Sequence, residues 1–537
     1  MIDDTLLQTY NQTPYPSYCY TQTHPDRLAT LGTLLGLTPT HVATCRVLEL
    51  GCASGGNIVP MAYALPESRF VGIDFAAGQI AVGQQMIDDL GLDNVILQAQ
   101  DILQLGPELG EFDYIIAHGV YSWTPPAVRD KVLALCRQLL APNGIAYVSY
   151  NTQPGWHMLG ALREMMLYRS RQSTDPATRV AQARELLAFL AESVSDEDPY
   201  STFGRTYQQL LQTYRDYVLR DRQQEQGGDQ LLLHDELETY NTAVYFHEFI
   251  AHAQQHGLQY LVEADFARVM LSNFPRDVQQ KLAQLAHDTI ELEQYMDFVR
   301  NRTFRQTLLC RAEIPLQRRL AADLSPFFIA TYAHPETAVH VHDTAVARFQ
   351  GLDGSVLATD HPMTKAALLH LQEVAPTAVS FPELVSIARR RVYGTNTPEN
   401  LAQDVAALTA NILRAYSYSS RLVELHRHAA PFVVQAGERP FASAVARWQL
   451  QQGYQKLTNL RHERVQLDQL GQHLLPYLDG QHDREMLLAR LFTLAGQGKL
   501  QVTEGETAVA DPAAQRRILA EELAASLGWL GRAALLQ

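Results

Sequence analysis

The sequence predicts an α/β domain built on a parallel sheet, then a mainly α-helical middle domain, then an α+β C-terminal region with one or two winged-helix-like units. Three observations carry this prediction. From Arg46 to Tyr150, short β-branched runs alternate with amphipathic stretches, the pattern of strands separated by covering helices. Beyond Trp156 the strand signals fade and helical spacing takes over. Near the C-terminal end, a tight-turn pair, Asp353-Gly354, and two helix–turn–helix patterns follow one another.

In the first region the strands fall at 47–50, 69–73, 95–98, 112–117 and 145–149. Between the last two, Val128, Val132, Cys136 and Leu139 recur at spacings of three and four, so one helix face is apolar and covers the sheet. In the second region Val180, Ala183, Leu187, Leu190 and Val194 repeat at helical spacing up to Asp198-Pro199. The run from Asp221 to Gln230 holds Gly227-Gly228 and no apolar residue, and reads as a linker. In the third region strands at 346–349 and 356–357 flank Asp353-Gly354. Helix pairs follow at 366–374 with 381–388, turning through Pro376, and at 470–478 with 484–491, turning through Asp479-Gly480.

A chain of 537 residues exceeds what one hydrophobic core organises. Hydrophobic residues at 46% and charged residues at 19% are those of a folded protein. The net charge of −15 disfavours loose binding to nucleic acid or anionic lipid, which an acidic surface repels unless a local basic patch compensates. The winged-helix-like units therefore read as protein-contact modules. The start, Met1-Ile2-Asp3-Asp4, lacks the basic and apolar parts of a leader, and no apolar run of spanning length occurs. A cytoplasmic protein without membrane insertion is the expectation. Cys19, Cys45, Cys52, Cys136 and Cys310 are scattered, with no CxxC spacing, and read as reduced.

The strongest chemical signal is the strand–turn–helix segment Val47-Leu48-Glu49-Leu50-Gly51-Cys52-Ala53-Ser54-Gly55-Gly56-Asn57. Small residues let the backbone approach a ligand, and the helix start offers free N–H donors. Gly51, Ala53 and Gly56 nearly satisfy the GxGxxG spacing, so a dinucleotide-binding dehydrogenase must be weighed against a methyltransferase. Glu49 stands two residues before Gly51, and about 45 residues precede the motif where a dinucleotide domain would begin with it. Asp74 closes the next strand, suited to both ribose hydroxyls. Gln100-Asp101-Ile102 and Phe112 to Gly119 follow at the intervals of an adenine contact and a substrate-side strand.

Over residues 40–150 this series resembles the class I S-adenosylmethionine-dependent methyltransferases, a Rossmann-like fold. It departs from the family pattern in Ala53, where many members carry glycine, and in Pro142-Asn143-Gly144. The resemblance narrows with Tyr10-Asn11, Pro14-Tyr15-Pro16-Ser17, Tyr150 to Trp156, Tyr245-Phe246-His247-Glu248-Phe249 and Glu293 to Phe304. These look like a bacterial subfamily that joins a class I domain to a methyltransferase regulatory domain and includes lysine methyltransferases of outer-membrane proteins. It implies domains at 1–165 (methyltransferase with N-terminal capping segment), 166–310 (regulatory) and 311–537 (C-terminal). It also implies a cofactor site of Glu49, Gly51, Ala53, Gly55, Asp74, Phe75, Gln100, Asp101, Ile102, His118 and Gly119 for S-adenosyl-L-methionine. Asp74 would hold the ribose, Asp101 the adenine amino group, and the Gly51–Gly55 backbone the methionine moiety.

His118, Tyr121, Trp123, Asn151 and Trp156 follow the two substrate-side strands and are the catalytic candidates, orienting an amine and facing positive charge with aromatic rings. Tyr15, Tyr18 and Tyr20 read as a lid or as surface packing. No metal is expected: His247 and His252 are five apart, about 140° around a helix. Arg300, Asn301 and Arg302 read as a domain-interface clasp. The acceptor implied is a lysine on a protein substrate. A small-molecule N- or O-methyltransferase and a cofactor-sensing binding protein remain as alternatives, and a homodimer as a partner expectation.

Overall fold

The computed structural model describes residues 13–193, 204–218, 228–318, 320, 323–394, 399–504, 507–509 and 511–537. Tyr10-Asn11, Val194, Asp198-Pro199 and most of the 221–230 run lie outside them. The centre is a seven-stranded sheet of β1 (Arg46–Leu50), β2 (Arg69–Asp74), β3 (Val95–Ala99), β4 (Phe112–Ala117), β5 (Leu140–Asn151), β6 (Leu258–Glu263) and β7 (Phe304–Arg311), in the order β3-β2-β1-β4-β5-β7-β6. The first five strands are parallel; β7 runs antiparallel between β5 and β6. β1 and β4 are buried almost throughout, as a strand covered on both faces must be. The order reverses between β1 and β4, and such a switch point opens a crevice at the carboxyl ends of the strands.

The Pro126–Leu139 helix buries Val128, Val132, Cys136 and Leu139 on one sheet face together with Phe246 and Phe249. The other face joins the N-terminal Pro25–Leu34 helix and much of the 324–425 segment in one core. The described residues between 155 and 237 form a separate helical core of Leu162, Met166, Val180, Leu187, Leu211 and Leu233.

The middle of the chain is less purely helical than its apolar spacing predicts. Leu258–Glu263 and Phe304–Arg311 leave the helical region and complete the sheet. The physical reason is pairing: β7 finds a full antiparallel ladder from Ala146 to Asn151 on β5, which outweighs local propensity. The sheet thus crosses a boundary drawn at 165.

Further on, Ala347–Gln350 and Val356–Thr359 pair as a hairpin about Asp353-Gly354, with Gly354 at φ 77. The Pro362–Val374 and Phe381–Tyr393 helices pack as a pair. The Gln469–Leu474, Arg484–Gly496 and Pro512–Arg532 helices share a C-terminal core with the Lys456–Thr458/Arg464–Gln466 hairpin. All five cysteines are buried and free. Among the described residues no helix is long and apolar enough to cross a membrane.

Candidate functional site

At the carboxyl end of β1 the chain turns sharply. Gly51 and Cys52 donate backbone N–H bonds to the Ile73 carbonyl, hanging the loop on β2 at 2.8 and 3.0 Å. Gly51 takes φ 76, and a Cβ there would lie 2.6 Å from Val120 Cγ2, so the turn requires glycine. Ala53 also adopts a left-handed conformation, φ 48, and its N–H donates to Asp74 Oδ2 at 2.9 Å. Asp74 Oδ1 accepts the Ala76 N–H at 2.9 Å, so this carboxylate braces both the β1 loop and the turn after β2. Burial nevertheless raises its pKa.

Asn57 is the hub of the site. Its side chain is diverted from capping the Ile58–Ala64 helix. Nδ2 donates to Glu49 Oε1 at 2.7 Å and to Thr23 Oγ1 at 3.0 Å, while Oδ1 accepts the Tyr20 N–H at 2.8 Å. His462, reaching in from the C-terminal domain, donates from Nε2 to the same Oδ1 at 2.9 Å. Burial holds its imidazole well below the usual range, hence neutral, which leaves Nε2–H as the donor. His462 sits at φ 60, outside the conformations most residues prefer.

These elements surround a cavity of about 1080 Å³. Of the cofactor-side residues expected from sequence, Glu49, Gly51, Ala53, Asp74, Phe75, Asp101, Ile102, His118 and Gly119 line it. Gln100 and Gly55 do not. Gln100 lies behind the wall, its N–H donating to the Asp74 carbonyl at 2.8 Å. Gly55 shapes the turn from behind: a Cβ there would meet Val59 and Leu97 at 2.8 and 2.9 Å. Asp101 accepts the Leu103 N–H as a cap at 2.9 Å and still faces the cavity.

Charge is one-sided. Six carboxylates line the cavity (Glu49, Asp74, Asp101, Asp216, Asp235 and Glu236), and no described lining residue is lysine or arginine. Glu49 is 3% exposed, its Oε2 has no hydrogen-bond partner, and burial, with Asp74 nearby, pushes its pKa up to about 8. An orphaned buried carboxylate oxygen is costly unless a cation or donor meets it.

On the substrate side, Trp123, Asn151, Trp156 and His118 face the cavity. Trp123 Nε1 donates to the Asp235 carbonyl at 3.4 Å, and Asn151 Nδ2 to Asn241 Oδ1 at 2.9 Å. His118 packs against Tyr20 at a tilt of 31°, ring centroids 3.8 Å apart, and burial lowers its pKa to about 4. Tyr121 is a correction. It does not reach the cavity but packs among Tyr150, Phe249 and His252, with its hydroxyl 2.8 Å from His252 Nδ1. Tyr121–Trp123 is a 3₁₀ turn, in which residues two apart point in different directions, so Tyr121 and Trp123 cannot share a wall.

Sequence reasoning missed Asn57, His462, Gln79 and the 210–217 and 234–236 wall. Asn57 lay in view at the helix start after the glycine turn. Asp235 and Tyr214 carry no local signal, because only tertiary folding brings the middle domain over the crevice. Tyr15, Tyr18 and Tyr20 all line the cavity from the N-terminal strap.

Comparison with known proteins accords with this geometry. The chain matches the family models described as Methyltransferase domain over 41–201, Predicted methyltransferase regulatory domain over 228–311, and PKMT, C-terminal winged helix domain over 438–535. An uncharacterized Rickettsia prowazekii protein is 35% identical over 507 residues, covering 93% of this chain and 88% of the relative. The structure of PKMT2 from Rickettsia typhi superposes with a TM-score of 0.84 at 29% identity, covering 97% of this chain and 100% of that one. Its complex with AdoHcy gives 0.83 at 30% identity over the same shares.

Proposed function

The chain belongs to the PKMT family of S-adenosylmethionine-dependent methyltransferases, and from that premise we propose that it methylates lysine side chains of a protein substrate. The observation that carries the acceptor is the cavity: acidic side chains, aromatic walls and no lysine or arginine among its described lining residues suit a cationic or amine ligand. The residues fit the cofactor. Orphaned Glu49 Oε2 offers an acceptor to a donor group, Asp74 and Asp101 line the cavity and would hold ribose and adenine, and about 1080 Å³ exceeds what a nucleoside needs.

S-adenosylmethionine supplies an electrophilic sulfonium methyl when bound. The protein's part is to present a neutral amine lone pair in line with that methyl and to exclude water. Trp123, Trp156 and Tyr214 wall the approach, and Asp235 and Glu236 draw in the ammonium before it gives its proton to solvent. No strong base is needed, and His118, held neutral down to about pH 4, is a weak one. The five free thiols fit a reducing compartment, which supports action in the cytosol.

The test is mass spectrometry of cell lysate incubated with the full chain and deuterium-methyl-labelled cofactor. Labelled lysines are expected. Labelled hydroxyls or small molecules, with every lysine unlabelled, would promote a small-molecule methyltransferase instead.

A further inference from the structure

Away from the cavity, the Pro126–Leu139 helix and the C-terminal end of the Phe246–Gln255 helix with its cap bring together three side chains of metal-ligand type. Asp130 Oδ1 lies 3.3 Å from His252 Nε2 and 2.9 Å from His256 Nε2. One ligand atom from each residue lies within 4.8 Å of the others. We propose that Asp130, His252 and His256 bind a divalent transition-metal ion, of which zinc fits best, and that the ion clamps the regulatory segment onto the methyltransferase domain.

The spacing is the first argument. His252 lies in the last turn of the helix and His256 is its C-cap, four residues on, which brings their ring centroids to 5.4 Å. The expectation of no metal rested on the His247–His252 pair, five apart, and leaves this pair untouched. Zinc binds imidazole nitrogen and carboxylate oxygen at about 2.0–2.2 Å, which sets neighbouring ligands of a tetrahedron about 3.3 Å apart. Both His–Asp separations already lie near that edge. Two imidazoles with one carboxylate suit a borderline ion and not calcium or magnesium, which take oxygen.

The second argument is the shell behind the ligands. The Tyr121 hydroxyl lies 2.8 Å from His252 Nδ1. With Nδ1–H donating to that oxygen, the Nε2 lone pair is left facing Asp130, the tautomer a metal requires. Tyr121 is itself wedged against Tyr150 and Phe249, so the ring it orients is held by the core.

The third is access and placement. Asp130 is 62% exposed, and His252 and His256 are 25% and 19% exposed, so an ion enters freely and water completes its coordination. The ligands come from segments matched by two different family models, 41–201 and 228–311. Metal binding would therefore join parts that the chain connects only through distant sequence.

The experiment titrates zinc into the metal-stripped full chain by calorimetry, with cobalt(II) as a spectroscopic probe. One zinc per chain, a raised thermal midpoint and the intense visible bands of four-coordinate cobalt are expected. Asp130→Asn and the double variant His252→Ala/His256→Ala should each weaken zinc binding at least tenfold while keeping the far-UV spectrum of the parent. Tyr121→Phe should weaken it less, on the order of tenfold or below. Absence of saturable one-to-one zinc binding in the parent would overturn the site. Undiminished binding in both ligand variants would do so equally, leaving the cluster a hydrogen-bonded one.

Discussion

Two groups of carboxyl side chains border the carboxyl edge of this sheet, one beside β6 and β7 and one around the cavity, and they are treated oppositely. Beside β6 and β7, Glu263, Glu293 and Asp297 surround Arg305, which is fully buried. Its Nε and Nη2 donate to the two Asp297 oxygens at 2.7 and 2.9 Å, and Nη1 to Glu293 at 3.0 Å. Arg302 adds a second cation, 2.8 Å from Glu263, and the Tyr260 hydroxyl donates to Glu293 at 2.6 Å. The Arg305 guanidinium also lies 3.6 Å over the Phe246 ring. Around the cavity, by contrast, Glu49 has one amide partner and an orphaned oxygen, and no arginine or lysine stands among the described lining residues. Compensated charge marks a structural joint. Carboxyl groups around a cavity whose described lining holds no lysine or arginine suit a cationic ligand.

The largest effect should come from breaking the compensated cluster. Arg305→Met leaves three buried carboxylates with one cation and should destabilise the chain by about 3–5 kcal/mol, read as a lowered urea midpoint. A shift below about 1 kcal/mol would mean the cluster is not the joint it resembles. Glu49→Gln should behave in the opposite sense. The carboxyl's folded pKa is raised, from 4.5 to about 8, so its contribution to stability is fully present below about pH 4.5 and lost as pH climbs through 8. The ligand-free Gln variant should therefore gain about 1–3 kcal/mol over the parent at pH 9 and little at pH 4, measured by thermal denaturation. Its cofactor affinity should fall by about 1.5–3 kcal/mol, measured by calorimetry. Equal stability at both pH values would refute the uncompensated reading of Glu49.

The same contrast explains what the sequence made legible. The β1–β5 strands and the Glu49, Asp74 and Asp101 series stand in local patterns, because each is tied to a strand end and strand ends recur at regular intervals. β6, Leu258-Gln259-Tyr260-Leu261-Val262-Glu263, is short and separated by two residues from the Phe246–Gln255 helix, so period alone does not separate it from more helix, and only Gly257 marks the break. Arg302, expected in a domain-interface clasp, pairs instead with Glu263 within the same segment, and the buried centre is Arg305, whose partners lie 8, 12 and 42 residues away. Tyr121 and Trp123 share an aromatic character that suggests a common role, and only the turn geometry separates them. His462 lies 405 residues from Asn57, beyond the reach of any local pattern.

That long contact gives a smaller and sharper test. His462→Ala removes one donor from Asn57 Oδ1 while the Tyr20 N–H stays, so Asn57 should hold Glu49 less firmly. Cofactor affinity should drop by about 1 kcal/mol, roughly fivefold, with kcat little changed at saturation. His462→Gln, whose amide can donate in the same direction, should recover part of the loss. An Ala variant with unaltered affinity would mean that the C-terminal domain merely rests against the site.

The smallest effect expected is at His118, and it separates the amine acceptor from the hydroxyl one. His118 lies in the cavity wall, sandwiched by Tyr20 at 3.8 Å and with Nδ1 2.9 Å from the Tyr147 hydroxyl. Burial holds its pKa down to about 4, so at neutral pH it carries no proton to lose and has little appetite for another. A hydroxyl acceptor needs a base in the transition state, and removing such a base costs about 10²–10⁴-fold in rate. An amine needs only to shed its proton to water before attack. His118→Gln keeps a polar side chain near Tyr147 and loses only the stacking surface, so with a lysine acceptor kcat should stay within about threefold of the parent, below about 1 kcal/mol. The parent's kcat should rise with pH as the bound ammonium ionises, with no limb between pH 6 and 7, and the variant's profile should overlay it. A limb in that range that disappears in His118→Gln, together with a hundredfold loss of rate, would show His118 acting as a base after all and would move the acceptor from nitrogen to oxygen.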